Sequence, residues 1–371
     1  SRHKGNANTV TKYTQLNVNT SAYGLPIPIG WGQFRIGVNL IYAGNFQAIP
    51  QRAKSGGKGG GGKGGGGKGA QPITSYDYKV AVALALCEGP ITGINIAWRG
   101  RDVAFYGHAD AGVFPDTLFL GDRDQAVWAW LLGNDPTNAV SFSSTAYLAD
   151  SQLELGSSPA LQNYGFEILG RFRETIPDWD IDALPADIIN DFLTNDQYGV
   201  GFGPAVGEDG SFIHETSWDL YKTYNQAAQL YLSPVLAAQE QVSTILDRWA
   251  QLTNSWIFWS GGLLKFVPLG DTELTAHGAT YTPNNTSILD LGYEDFIRSG
   301  TEPPITIKIT DPADRPNSIK FEIENRAHNY NAFPVEWMDD GLILQQGPAA
   351  RTPRSRPTTS RKWFSARSSP S

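Results

Sequence analysis

Fourteen consecutive residues, Gly56–Gly69, are glycine except for Lys58, Lys63 and Lys68, which fall five residues apart. Polyglycine loses more backbone entropy on ordering than it can recover, because it has no side chains to bury. The run predicts a flexible, basic surface loop over 52–71, so any fold must be assembled from the segments on either side of it. Both neighbours carry strand patterns. In YGLPIPIGWGQFRIGVNLIYAGNF (23–46), Pro26 and Pro28 mark an edge or turn, Phe34, Ile36 and Val38 alternate, and Leu40-Ile41-Tyr42 continues the run. In SYDYKVAVALALCEGPITGI (75–94), Tyr76, Tyr78, Val80, Val82, Leu84 and Leu86 recur at every second position, which predicts a half-buried strand. Cys87-Glu88-Gly89-Pro90 turns the chain into a further strand through Ile94, Ile96 and Trp98.

A chain of 371 residues can hold two or three domains with real cores. Its 40 glycines and 23 prolines favour short strands joined by turns over a helical bundle, and its 11 tryptophans call for a packed interior. Beyond the first strands, a short helix is expected to end at Gly133, and strands at Tyr147–Leu155 and Tyr164–Phe172. The middle reads as helical. Pro185 suits a first helical position, with Ile188, Ile189, Phe192 and Leu193 on one face, and Ser217–Leu232 spaces its aromatics three and four apart. Ser233-Pro234 has the form of a cap and first-turn pair, opening a helix that turns Val235, Val242, Ile245, Leu246, Trp249 and Leu252 inward. A hairpin follows, Trp256–Trp259 and Leu263–Val267 about a turn at Ser260-Gly261-Gly262. Pro304–Val335 again alternates, through Ile305, Ile307 and Ile309 and then Ile319, Phe321 and Ile323.

The expected class is α+β, predominantly β, with a small helical module inserted. The expected divisions are an N-terminal arm (1–22), a first β domain (23–175), a helical module (176–255), a second β region (256–340) and a basic low-complexity tail (341–371).

The formal net charge is −8, unevenly distributed. Arg351, Arg354, Arg356, Arg361, Lys362 and Arg367 all lie in the last 21 residues, leaving 23 basic against 37 acidic residues before them. An acidic body argues against tight nucleic-acid binding, which needs cations to displace condensed counterions. Cys87 is the single cysteine, so no internal disulfide can form and a reducing compartment is expected. There is no 18-residue apolar run, and SRHKGNANTV lacks a signal peptide's apolar stretch, so cytoplasmic synthesis without stable membrane insertion is expected.

The search for chemistry yields no catalytic, cofactor or metal site. Gly57–Lys63 satisfies the first part of a phosphate-binding loop, but Gly64 stands where Ser or Thr is required, and no helix can begin in glycine. His3, His108, His214, His277 and His328 are scattered without ligand spacing. Cys87 follows an apolar strand beside Glu88, which would raise rather than lower its pKa, so a buried, inert thiol is expected. Two constellations stay open. Glu154 and Glu167, on strands expected to be neighbours, have the form of a glycosidase carboxylate pair. Trp256, Trp259 and Trp249 could form a sugar-stacking platform, although hydrophobic core is the better expectation. Asp178, Asp180 and Asp182 around Trp179 read as solvated surface charge.

Taken in order, several stretches resemble the tail-tip attachment, or baseplate hub, proteins of long-tailed bacteriophages. They are 23–46, the glycine-rich insertion, 75–94, LSPVLAAQEQVSTILDRWAQLTNSWIFWSGGLLKFVPLGD (232–271), YTPNNTSILDL (281–291) and DPADRPNSIKFEIENRAHNY (311–330). Together they cover about half the chain. The resemblance implies a homotrimeric hub of β-barrel-like domains closing the distal end of a tail tube in the virion, assembled in the host cytoplasm and without enzymatic activity. Its implied partners are tail-tube and distal tail proteins, the tape-measure protein, and a fibre or receptor-binding protein, with DNA in transit. The segment GPAARTPRSRPTTSRKWFSARSSPS departs from the family pattern and is free of acids. Its composition is that of GC-rich DNA translated out of frame; the alternative is a genuine basic arm for nucleic acid or lipid.

Overall fold

A computed structural model describes residues 11–17, 25–52, 73–100, 102–106, 117–172, 182–287, 289–297, 305, 307 and 316–346. In chain order the first elements are β1 (Ile29–Gly30), β2 (Gln33–Gly37), β3 (Asn39–Arg52), β4 (Ile73–Glu88), β5 (Gly93–Arg99), β6 (Asp102–Tyr106) and β7 (Thr117–Phe119). Helix α1 (Ala129–Asn134), β8 (Thr145–Gly156) and β9 (Tyr164–Leu169) follow. Then come α2 (Pro185–Thr194), α3 (Glu215–Ala227), β10 (Val235–Leu236), α4 (Val242–Leu252), β11 (Ser255–Ser260) and β12 (Leu263–Pro268). The last are β13 (Leu274–Ala276), β14 (Ala279–Tyr281), β15 (Ser318–Asn325), β16 (Asn331–Met338) and α5 (Asp340–Gln346). The fold is α+β and predominantly β. The sheets are open, so the barrel-like closure expected from the resemblance is not found among the described residues. The glycine-rich loop, His3, His108, Asp178, Trp179, Asp180 and the tail beyond Gln346 lie outside the described residues.

The chain divides into two compact units, residues 1–173 with 235–239, and 174–234 with 240–371. The segments expected as separate modules at 176–255 and 256–340 therefore fall mostly in one unit. The first unit holds two four-stranded antiparallel sheets, ordered β3-β4-β8-β7 and β2-β9-β5-β6. Strand β4 is the spine of the former, between β3 and β8, and from Val80 to Cys87 every residue is buried. It is not the half-buried strand that alternation predicts. The intervening positions Ala81, Ala83 and Ala85 are small rather than polar, so both faces exclude water. Ala81 and Ala83, with Tyr147 and Ala149 of β8, form the floor on which Trp128 and Leu131 at α1 pack.

In the second unit α3 and α4 lie against the β11–β12 hairpin. Phe266, wholly buried on β12, meets Trp218 edge-on at 4.9 Å between centroids, while Trp249 of α4 meets Phe192 of α2 at 5.3 Å. Gly261 and Gly262, at φ +64° and +79°, form the two-residue turn between β11 and β12, a conformation only glycine adopts without strain. Ser233-Pro234 does not open a helix. Val235 and Leu236 pair with Gly30 and Ile29, the Ser233 hydroxyl donates to Asp182, and α4 begins at Val242. The capping hydroxyl is taken by a tertiary partner. Ile305 and Ile307, expected on a strand, are in none, and β15–β16 stands as a separate two-stranded sheet.

Candidate functional site

The two glutamates expected to face each other lie in different sheets. Glu154 is on β8 in the β3-β4-β8-β7 sheet, where Lys79 of β4 pairs with it at 2.9 Å and is the main cause holding its carboxyl below the ordinary range. Glu167 is on β9 in the other sheet and only 1% exposed. Asn95 Nδ2 donates to its Oε2 at 2.8 Å, and Arg35 and Ile96 are its cross-strand neighbours. A glycosidase needs two carboxyls on opposite sides of an open cleft, one of them with a raised pKa. Glu154 and Glu167 stand in separate sheets, and the Glu154 carboxyl is shifted down rather than up.

Asp182 is not a solvated surface charge. Arg326 Nη2 donates to its Oδ1 at 2.7 Å, Ser233 donates to the same oxygen, and Arg326 Nε reaches the Tyr330 hydroxyl at 3.3 Å. Burial disfavours the guanidinium charge, but the attraction and hydrogen bonds of Asp182 outweigh it and leave the Arg326 pKa above its ordinary value. The pair joins segments 144 residues apart, a distance no local pattern signals.

Cys87 is wholly buried, and burial is the main reason its pKa rises to about 12. Arg171 opposes that rise and Glu88 adds to it. His214 caps α3 by accepting from the Ser217 amide at 3.2 Å, and His328 stacks on Phe333 at 5.5 Å. Among the described residues no group of three or more His, Cys, Asp or Glu side chains could hold a metal ion. Nor is any described helix long and apolar enough to cross a membrane.

Both hairpins carry large apolar side chains that meet solvent, as do Leu132, Leu289, Ile297 and Leu344 elsewhere. Pairing of Trp256 with Val267 and of Phe258 with Lys265 puts these four on one face of β11–β12. Ser255, Leu264 and Phe266 occupy the opposite, buried face. Trp256 is 63% exposed, not core as expected. Trp259 is also exposed but belongs to the opposite face and meets Phe202 edge-on at 6.1 Å, so Trp256 and Trp259 cannot form one stacking platform. On β15–β16, pairing of Ile319 with Trp337 and of Ile323 with Phe333 makes one face apolar. Lys320, Glu322, Glu324 and Glu336 stand on the other, with Lys320 and Glu336 ion-paired at 2.9 Å. Ile323 is buried, whereas Ile319 and Phe333 are exposed and Trp337 is 56% exposed.

Residues 241–352 match a family, Phage-tail_3, described as "Putative phage tail protein". The matched segment begins just before α4 and takes in both exposed hairpins and α5. No curated protein matches the chain. A chain from the virion of a native gene transfer agent particle is similar in structure, at 12% identity and a TM-score of 0.49, over 92% of this chain and 71% of that one.

Proposed function

We propose that this chain is a structural virion component, a homotrimeric hub at the distal end of a phage tail tube. It joins the tube and distal tail proteins to receptor-binding or fibre parts and gives passage to the tape-measure protein and the genome. The observation that carries the reading is the phage-tail match over 241–352, which overlaps three of the stretches that resemble tail-hub proteins. Under this reading the acidic body keeps a translocating genome from adhering, by like-charge repulsion. The hub works without catalysis, in keeping with the enclosure of Glu167 by Asn95 and the engagement of Glu154 by Lys79.

Cryo-electron microscopy of purified particles, with antibody raised to residues 241–352, is the test. Density and label at the tail tip with three-fold symmetry are expected. A chain confined to the head, or missing from particles, overturns the reading. The hydrolase alternative is tested separately: peptidoglycan release that Glu167→Gln abolishes would restore it, and no release is expected.

A further inference from the structure

Asp-Gly occurs twice in the chain, at Asp209-Gly210 and at Asp340-Gly341. The first lies in the connection between α2 and α3, where Glu208, Asp209 and Gly210 are all exposed. The Ser211 amide donates to the Glu208 carbonyl at 3.1 Å, closing a four-residue turn with Asp209 and Gly210 at its centre. Gly210 has φ +85°, as the third position of a type II turn requires, and a Cβ there would meet only Pro204 Cγ, at 3.9 Å. Among the described residues neither the Asp209 carboxylate nor the Gly210 amide has a hydrogen-bond or ion-pair partner. The peptide between them can rotate without breaking a hydrogen bond, because the turn is closed by the residues on either side.

Asp340-Gly341 is exposed as well, but it is held in the first turn of α5. There the Leu342 amide donates to Asp339 Oδ1 at 3.0 Å and the Ile343 amide to the Asp339 carbonyl at 2.9 Å. Rotating that peptide would swing the Asp340 carbonyl out of the helix.

We propose that Asp209-Gly210 is a site of spontaneous isoaspartyl formation. The Gly210 backbone nitrogen attacks the Asp209 Cγ, and the carboxyl hydroxyl leaves as water with the amide proton, closing a five-membered imide. Water then reopens the ring. Cleavage of the new Cγ–N bond restores aspartate; cleavage of the original peptide bond leaves the main chain running through Cβ, with a free carboxyl on Cα. Water is the one co-reactant, and glycine has no side chain to shield its nitrogen. The product lengthens the main chain by one methylene just ahead of Phe212 and His214, whose carbonyl and amide pair with Leu264 of β12. Nothing in this depends on the tail-hub reading.

The test is to incubate the full chain for weeks at neutral pH and physiological temperature. Samples are treated with protein isoaspartyl methyltransferase and a labelled methyl donor, and the labelled peptides are mapped by electron-transfer fragmentation. Label should rise with time on the Asp209 peptide and exceed that on the Asp340 peptide by about tenfold or more, since the latter must first open a helical turn. Asp209→Glu, which would need a six-membered ring, should abolish the label while leaving the circular dichroism spectrum unchanged. Gly210→Ala should reduce it severalfold by shielding the nitrogen. In denaturant the two Asp-Gly peptides should label alike. An Asp209 peptide that stays unlabelled in the folded chain, equal label on both peptides there, or label that survives Asp209→Glu overturns the proposal.

Discussion

Gly121 sits at φ +87°, where a Cβ would lie 2.6 Å from the Gly89 Cα and 2.7 Å from the Ala146 amide nitrogen. Both neighbours are backbone and cannot swing aside. Gly121→Ala should therefore cost roughly 2–4 kcal/mol, combining left-handed strain with collision. Gly100→Ala is the internal control: φ is +66° but nothing lies within 4 Å, so strain alone should cost about 1 kcal/mol. Chemical denaturation of both variants checks the difference, and equal costs would refute the steric account. Cys87 gives a second residue-scale outcome. Its thiol should resist aromatic disulfide reagents at pH 8 in the folded chain and react at once in denaturant. With the folded pKa near 12 and the ordinary value at 9.0, the unfolded thiol ionises first as pH rises. This group's contribution to stability is thus complete below about pH 9 and declines from there toward 12. The burial of Cys87 was legible in the sequence, because an apolar strand preceded it. The close approach of Gly89 and Gly121 was not, since it depends on two turns brought together by separate strands.

Among the elements, β4 shows what periodicity can and cannot tell. Its span was readable from Tyr76 to Leu86, within the observed Ile73–Glu88. Its burial was not, because alternation separates faces without saying whether small residues opposite large ones meet solvent or a helix. The β11–β12 hairpin and its glycine turn were likewise legible. The exposure of Trp256 was not, because the pattern of an aromatic strand is the same whether its outer face meets solvent or a partner. The start of α4 was misread for a definite reason: Asp182 captures the Ser233 hydroxyl. That cluster yields an element-scale expectation. Arg326→Met or Asp182→Asn leaves one member of a partly buried pair uncompensated, with an expected cost of about 3 kcal/mol. In a double-mutant cycle the combined variant should lose less than the sum of the two. Additive losses would mean that the pair is not coupled. Because β15 ends at Asn325, beside Arg326, the same variants should raise amide exchange in β15–β16 ahead of α3.

For the whole molecule, the mixed, mainly β class was accessible from composition and turn density. The sheets nevertheless stay open among the described residues, because closure depends on register and tilt, which the pattern of a single chain does not encode. The division into units was only partly readable, since the chain leaves the second unit at Val235 to add five residues to the first and then returns. That excursion governs the order in which the molecule can be completed. Ile29 and Gly30 are translated early, yet their partners Leu236 and Val235 emerge from the ribosome only after about two hundred further residues. A nascent chain must hold that seam unpaired throughout the interval between them.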